Sequence, residues 1–200
     1  MNIGEGLMLI RKLYKFENAH IVRQCTSRRC SRSIHGHSYK VELLFTAPSL
    51  DRGQMVYDFG LTKGMIKEFI DAFDHAITLW SGDDPAYLAD MKKWSERWVE
   101  LPVNPSAEQF ARTIFLLVDR VLQQTEMING ESDVMLEGVI VHETETGYAK
   151  AKREDAYNST MGPTELDRIV FSERVKAEWS NPEMFEELLA GKRFLNPDIV

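Results

Sequence analysis

His35-Gly36-His37-Ser38-Tyr39-Lys40-Val41-Glu42-Leu43-Leu44-Phe45 is the stretch that decides the fold. Tyr39, Val41, Leu43 and Phe45 alternate with Ser38, Lys40 and Glu42, the period-two pattern of a half-buried strand. His37 shares its parity with the apolar set and so faces inward. His35 points the same way, because side chains two apart on a strand lie on one face. Gly36 leaves the opposite side uncrowded. An inward imidazole must be satisfied by a hydrogen bond or by a metal. Three of the five histidines fall at positions 20, 35 and 37, and that clustering favours a shared ion.

Upstream, Met8 to His20 reads as a long strand carrying Leu9, Leu13, Tyr14 and Phe16. The connection, 21–36, has no apolar periodicity and holds both cysteines, Cys25 and Cys30, among Arg23, Arg28, Arg29 and Arg32. It reads as a functional loop. The arginines suit a phosphorylated ligand, since guanidinium forks match phosphate oxygens, or form a solvated basic loop. Cys25, Cys30, His35 and His37 also admit a second reading, a closed zinc knot that holds the loop and does no chemistry.

Downstream, Asp58 is expected to cap a helix with Leu61, Met65, Ile66, Phe69, Ile70 and Phe73 on one face. Residues 80–104 are expected to be irregular, then a short helix through Trp94 and Trp98, with the tryptophans in packing roles. A second long helix starts near Pro105-Ser106, carried by Phe110, Ile114, Leu117, Val118, Val121 and Leu122. Residues 133–143 form a strand, and Tyr148 to Lys152 a return strand. Beyond Asp155 the pattern predicts helices from near Thr164 and from Asn181-Pro182. Two strands, two helices and two strands give an α+β sheet with helices on one face and open edges. Closing such edges between subunits predicts an oligomer.

With 200 residues, 44% hydrophobic and 28% charged, the chain has enough apolar material for one domain with an appendage. A net charge of −7 argues against sequence-independent nucleic-acid binding. Two cysteines make no disulfide framework. Met1 to Gly6 lacks the basic and apolar regions of a secretory signal. A cytoplasmic location without membrane partners is expected.

Six motifs in register resemble the 6-pyruvoyltetrahydropterin synthase / 6-carboxytetrahydropterin synthase family. They are Phe16-Glu17-Asn18-Ala19-His20, His35-Gly36-His37-Ser38-Tyr39, Val56-Tyr57-Asp58-Phe59, Asp74-His75, Pro105-Ser106-Ala107-Glu108 and His142-Glu143-Thr144. The resemblance spans about residues 8–153, interrupted by a longer-than-usual segment at 80–104. It implies the tunnelling fold (T-fold): a four-stranded antiparallel sheet with two main helices on one face, in a domain over 1–155. A helical C-terminal extension would occupy 156–200. It also implies a homohexamer of two trimers, with active sites at subunit interfaces and 7,8-dihydroneopterin triphosphate as substrate. The implied metal is Zn²⁺ on His20, His35 and His37. The implied catalytic groups are Cys30 as general base and the pair Asp74 and His75. Substrate would be held by Glu143 and Glu108, with Arg28, Arg29 and Arg32 toward the triphosphate.

Two products are open to such a lyase. One is 6-carboxy-5,6,7,8-tetrahydropterin, formed with acetaldehyde and triphosphate on the way to queuosine; the other is 6-pyruvoyltetrahydropterin. Carboxy-forming members keep a short gap between cysteine and histidine pair, and pyruvoyl-forming members a longer one. Here Cys30 lies five residues before His35, between the two, and Ser31 takes the position a strict short-gap alignment gives to cysteine. Cys30 and the carboxy product are the preferred assignments. A pterin-binding protein without turnover is the non-catalytic alternative.

Overall fold

The computed structural model describes residues 7–197; Met1 to Gly6, read above for a signal sequence, lies outside them. Two thirteen-residue strands, β1 (Met8–His20) and β2 (His35–Ala47), form the spine. They pair antiparallel without interruption from Met8 opposite Ala47 to His20 opposite His35. Along β1, Tyr14, Phe16, Asn18 and His20 are buried while Arg11, Leu13, Lys15 and Glu17 are exposed. The strand period therefore carries two histidines, one from each strand, to the same inner face at the end of the hairpin.

Later strands complete the antiparallel unit: β6 (Met135–His142) pairs with β2, and β7 (Tyr148–Ala151) with β6. The order β7-β6-β2-β1 is the expected four-stranded sheet, but the full sheet has seven strands. Past β1 come β3 (Ala76–Trp80) and β4 (Trp98–Leu101), both parallel, and β8 (Val170–Phe171), antiparallel to β4. β3 escapes a period-two reading because Ala76, Ile77, Thr78 and Leu79 are all buried, so no alternation appears, while β4 and β8 are too short to show a period.

Helices cover the inner face. Short α1 (Arg28–Arg32) lies in the β1–β2 connection, and α2 (Met65–Asp71) precedes β3. The expected single helix after Asp58 is divided. A 3₁₀ turn, Leu61–Lys63, stops at Gly64, and the Asp58 carboxylate accepts the Gly60 N–H at 2.7 Å instead of capping α2. Within the 80–104 segment, α3 (Pro85–Trp94) is capped by Asp84, whose side chain accepts from the Ala86 and Tyr87 N–H groups. Trp98 falls on β4, outside that helix, and Trp94 is 76% exposed, so the packing role expected of it does not hold.

The long helix α4 (Ala107–Gln124) starts at Ser106, whose hydroxyl accepts from the Gln109 N–H. Phe110, Ile114, Leu117, Val118 and Val121 are buried on its sheet-facing side. Phe16, Tyr39, Phe73 and Phe110 interlock beneath the histidine end, with ring centroids 4.9–6.0 Å apart.

The C-terminal residues add α5 (Arg153–Ala156), α6 (Glu173–Ala177) and α7 (Met184–Leu189). Two-residue strands β5 (Thr125–Glu126) and β9 (Phe194–Leu195) pair with each other. A 3₁₀ turn, Leu166–Arg168, and β8 stand where a helix from Thr164 was expected. Phe171, Trp179 and Phe185 pack on Phe69 of α2 at 5.6–6.1 Å between rings, within one hydrophobic cluster that includes the sheet. Arg112 of α4, buried, donates to the carbonyls of Asp155, Asn158 and Met161 and to the Thr164 hydroxyl, fastening the start of this segment. Among the described residues, no helix is long and apolar enough to cross a membrane.

Candidate metal centre and active site

The β1–β2 register places His20 directly opposite His35, with His37 two residues further along on the same face. One ligating nitrogen from each of the three lies within 4.8 Å of the others. Ring centroids are 4.5 Å apart for His20–His35, 5.4 Å for His20–His37 and 5.2 Å for His35–His37.

The tautomers are set by neighbours. Nδ1 of His20 is 2.6 Å from the Pro105 carbonyl, and Nδ1 of His35 is 3.0 Å from the Ser33 carbonyl. A carbonyl only accepts, so each Nδ1 carries a proton, and Nε2 is the nitrogen left to ligate. Such second contacts typically orient metal-ligating histidines. His20 is fully buried, and burial, aided by the two neighbouring histidines, pulls its pKa down to about 4. It is therefore neutral and able to ligate near neutral pH. Three converging imidazoles fit a divalent ion of the zinc type.

Glu143, just after β6, brings one carboxylate oxygen to 3.8 Å from Nε2 of His20 and 3.9 Å from Nε2 of His37. The Tyr39 hydroxyl donates to that oxygen at 3.3 Å. Burial and the adjacent Glu143 charge push the Tyr39 pKa far up, so the phenol stays a donor. Glu143 is partly exposed, and its carboxylate is available to a ligand beside the triad.

The cysteines stand apart. Among the described residues neither thiol joins the histidine cluster, so the closed knot of Cys25, Cys30, His35 and His37 is not assembled. Both are free and half-buried, Cys25 donating to the Ser27 carbonyl at 3.3 Å and Cys30 lying on α1. Ser31 is buried and gives its hydroxyl to the Ser27 carbonyl at 2.9 Å, which engages the residue a strict short-gap alignment would have made the base.

The loop is held by contacts the sequence did not announce. Arg23 pairs with Asp83 at 2.7 Å, lies over the Tyr87 ring and donates to the Ser31 carbonyl at 3.2 Å. It is thus a structural tie, unlike the exposed Arg28, Arg29 and Arg32. Asn104 accepts from the Arg23 N–H at 3.0 Å and donates back to the Arg23 carbonyl. The next residue is Pro105, whose carbonyl orients His20. Glu108 lies exposed in the first turn of α4.

Asp74 and His75 form a pair at 2.9 Å between Oδ2 and Nδ1. Burial raises the Asp74 pKa, but bonds from the Glu17 N–H and His75, with Arg97 nearby, outweigh it and hold the carboxyl below its ordinary range. His75 lines an open cleft together with Glu17 and Ser38, residues of outward parity, and with His37 of the triad. Among the described residues the pair is not part of the His20, His35 and His37 cluster.

This geometry has recognised relatives. The model of the family described as 6-pyruvoyl tetrahydropterin synthase matches residues 9–154. The chain belongs to the 6-pyruvoyl tetrahydropterin synthase family. A Helicobacter pylori (strain J99) protein named 6-carboxy-5,6,7,8-tetrahydropterin synthase is 34% identical over 187 residues, 93% of this chain and 94% of that one. The structure of Caenorhabditis elegans 6-pyruvoyl tetrahydropterin synthase superposes with a TM-score of 0.51 at 19% identity, covering 74% of this chain and 96% of that one. An uncharacterized Wolinella succinogenes protein gives 0.57 at 20% identity, covering 74% and 99%. These likenesses establish the T-fold. The 6-pyruvoyl tetrahydropterin synthase family match ends near the close of β7, whereas the Helicobacter alignment runs well beyond it, so the tail has a counterpart in that relative.

Proposed function

We propose that this family member is a zinc-dependent 6-carboxytetrahydropterin synthase. It would convert 7,8-dihydroneopterin triphosphate to 6-carboxy-5,6,7,8-tetrahydropterin, releasing acetaldehyde and triphosphate, a step toward queuosine. The observation that carries the reading is the convergence of His20, His35 and His37 beside the Glu143 carboxylate. The carboxy product is favoured by the name of a relative aligned over nearly the whole chain.

His20, His35 and His37 would hold zinc, which supplies a Lewis acid that acidifies the substrate's side-chain hydroxyls and stabilises developing enolate charge. The Pro105 and Ser33 carbonyls keep the ligand nitrogens of His20 and His35 aimed at one point. Glu143 accepts hydrogen bonds from the pterin amino group and ring N–H, which fixes the side chain over the triad. Cys30 takes a proton from the substrate side chain as general base. Asp74 orients His75 through Nδ1, leaving Nε2 to exchange the second proton. The pair stands outside the histidine cluster of its own subunit, and in the hexamer that the family resemblance implies it would serve a site at a subunit interface. Arg28, Arg29 and Arg32 lie exposed beside the cysteine loop and would draw off the triphosphate, and Glu108 flanks the ring-binding side.

The test is mass spectrometry of products after incubation with 7,8-dihydroneopterin triphosphate and zinc. 6-Carboxytetrahydropterin with acetaldehyde is expected. The pyruvoyl product would correct the product assignment, and unchanged substrate would overturn the enzymatic reading.

A further inference from the structure

The turn that carries Asp74 and His75 is held from two directions. From β1, the Glu17 N–H donates to Oδ1 of Asp74 at 2.7 Å, and the Glu17 carbonyl accepts the His75 N–H at 2.7 Å. The Asn18 amide donates to the Phe73 and Ala76 carbonyls at 2.8 and 2.9 Å. These contacts come from the Phe16–His20 motif. His75 itself sits at φ +52°, a left-handed conformation that residues other than glycine seldom adopt. Such a conformation persists only where the surroundings over-determine it.

The second direction is supplied by residues outside the family motifs. Arg97, from the 80–104 segment, donates through Nε to the Asp74 carbonyl and through one terminal nitrogen to the Asp71 carbonyl, both at 2.9 Å. Its other terminal nitrogen bonds the Glu178 carboxylate, which also receives Nε of Arg174 at 3.0 Å. Asp71 ends α2, so one of the two carbonyls Arg97 meets lies at the helix's negative end, where it also accepts the Asp74 N–H at 2.9 Å. All three directions of the guanidinium fork are in use, a geometry that lysine cannot reproduce. Glu178 follows α6, beyond the stretch that matches the family model.

We infer that Arg97, locked by Glu178, is a positioning residue for the Asp74–His75 pair, so that the long 80–104 segment and the C-terminal tail together brace the proton-transfer turn. The inference rests on the reading of that pair as a proton-transfer group. Arg97 has no need to touch substrate. It fixes the carbonyls of Asp71 and of Asp74 itself, and so the direction in which His75 presents its ring.

The experiment compares Arg97→Gln, Arg97→Lys and Glu178→Gln with wild type. Arg168→Gln, which breaks an exposed pair with Glu165 elsewhere in the tail, serves as control. Each is assayed with 7,8-dihydroneopterin triphosphate and zinc, and the ring ¹⁵N resonances of His75 are recorded without substrate. A misaligned catalytic group costs about 100-fold, so Arg97→Gln should lose about 100-fold in kcat with KM within about twofold. Glu178→Gln should lose about tenfold, with Arg97→Lys falling between Arg97→Gln and wild type. The His75 resonances should shift in Arg97→Gln and Glu178→Gln and stay put in the control. Unchanged kcat and unmoved His75 resonances in Arg97→Gln would overturn the inference. Should that variant fail to fold, unmoved resonances in Glu178→Gln overturn it instead. If wild-type protein turns over no substrate, the functional reading fails, and the His75 resonances alone decide the brace.

Discussion

Acid should expose the cost of burying His20. Its pKa falls from the ordinary 6.5 to about 4 in the folded protein, chiefly because the ring is wholly buried. The unfolded chain therefore binds a proton that the folded chain refuses throughout that window. Stability must fall as pH drops from about 6.5 toward about 4 and be insensitive to this group above it. At about 1.4 kcal/mol per pKa unit, the loss between about pH 7 and about pH 5 is about 2 kcal/mol. The assay is urea unfolding of metal-stripped protein at the two pH values, for wild type and His20→Gln. Glutamine does not titrate, yet its amide can still donate to the Pro105 carbonyl. Carboxylates held below their ordinary range, Asp74 and Glu42 among them, weaken both proteins alike and cancel in the comparison. His20→Gln should lose about 2 kcal/mol less than wild type on acidification. Equal losses would refute the claim that a neutral, buried imidazole is what the fold encloses there.

Other outcomes follow from the same geometry. Cys30→Ala should retain pterin binding but lose at least about 100-fold in turnover, the scale of a general base, in a stopped assay. Cys25→Ala should keep metal content and rate, because that thiol stands outside the histidine cluster. Glu143→Gln removes a charged acceptor worth about 1.5–3 kcal/mol, so pterin affinity should fall about 10- to 100-fold by fluorescence titration. Removal of residues 156–200 should abolish a cooperative thermal transition, since Phe171, Trp179, Phe185 and Leu188 belong to the common hydrophobic cluster.

The spine was legible because its strands obey their period. Alternation marked β2 and put His35 and His37 on one face, β1 was evident from its bulky residues while its pairing with β2 is what brings His20 alongside, and the apolar face of α4 followed from helical spacing. The strands next to β1 resisted for the opposite reason: β3 is buried along most of its length and shows no alternation, and β4, within the 80–104 segment, is only four residues long. Within the tail, β8 consists of two residues, too few for any period. Asn104 and Arg97 were missed because their work is done on backbone carbonyls and amides of distant residues, and sequence spacing carries no sign of that. Pro105 marks a helix opening in the sequence, but it is its carbonyl that orients His20. Arg23 was grouped with the phosphate-facing arginines, though only the fold reveals its partner Asp83.

The most direct test is crystallographic. Crystals of the protein with zinc and a dihydropterin should be measured at the zinc absorption edge. A single anomalous peak between the Nε2 atoms of His20, His35 and His37, with the pterin edge against Glu143, is the expected result. A peak on Cys25 and Cys30, or none at the triad, would contradict the account.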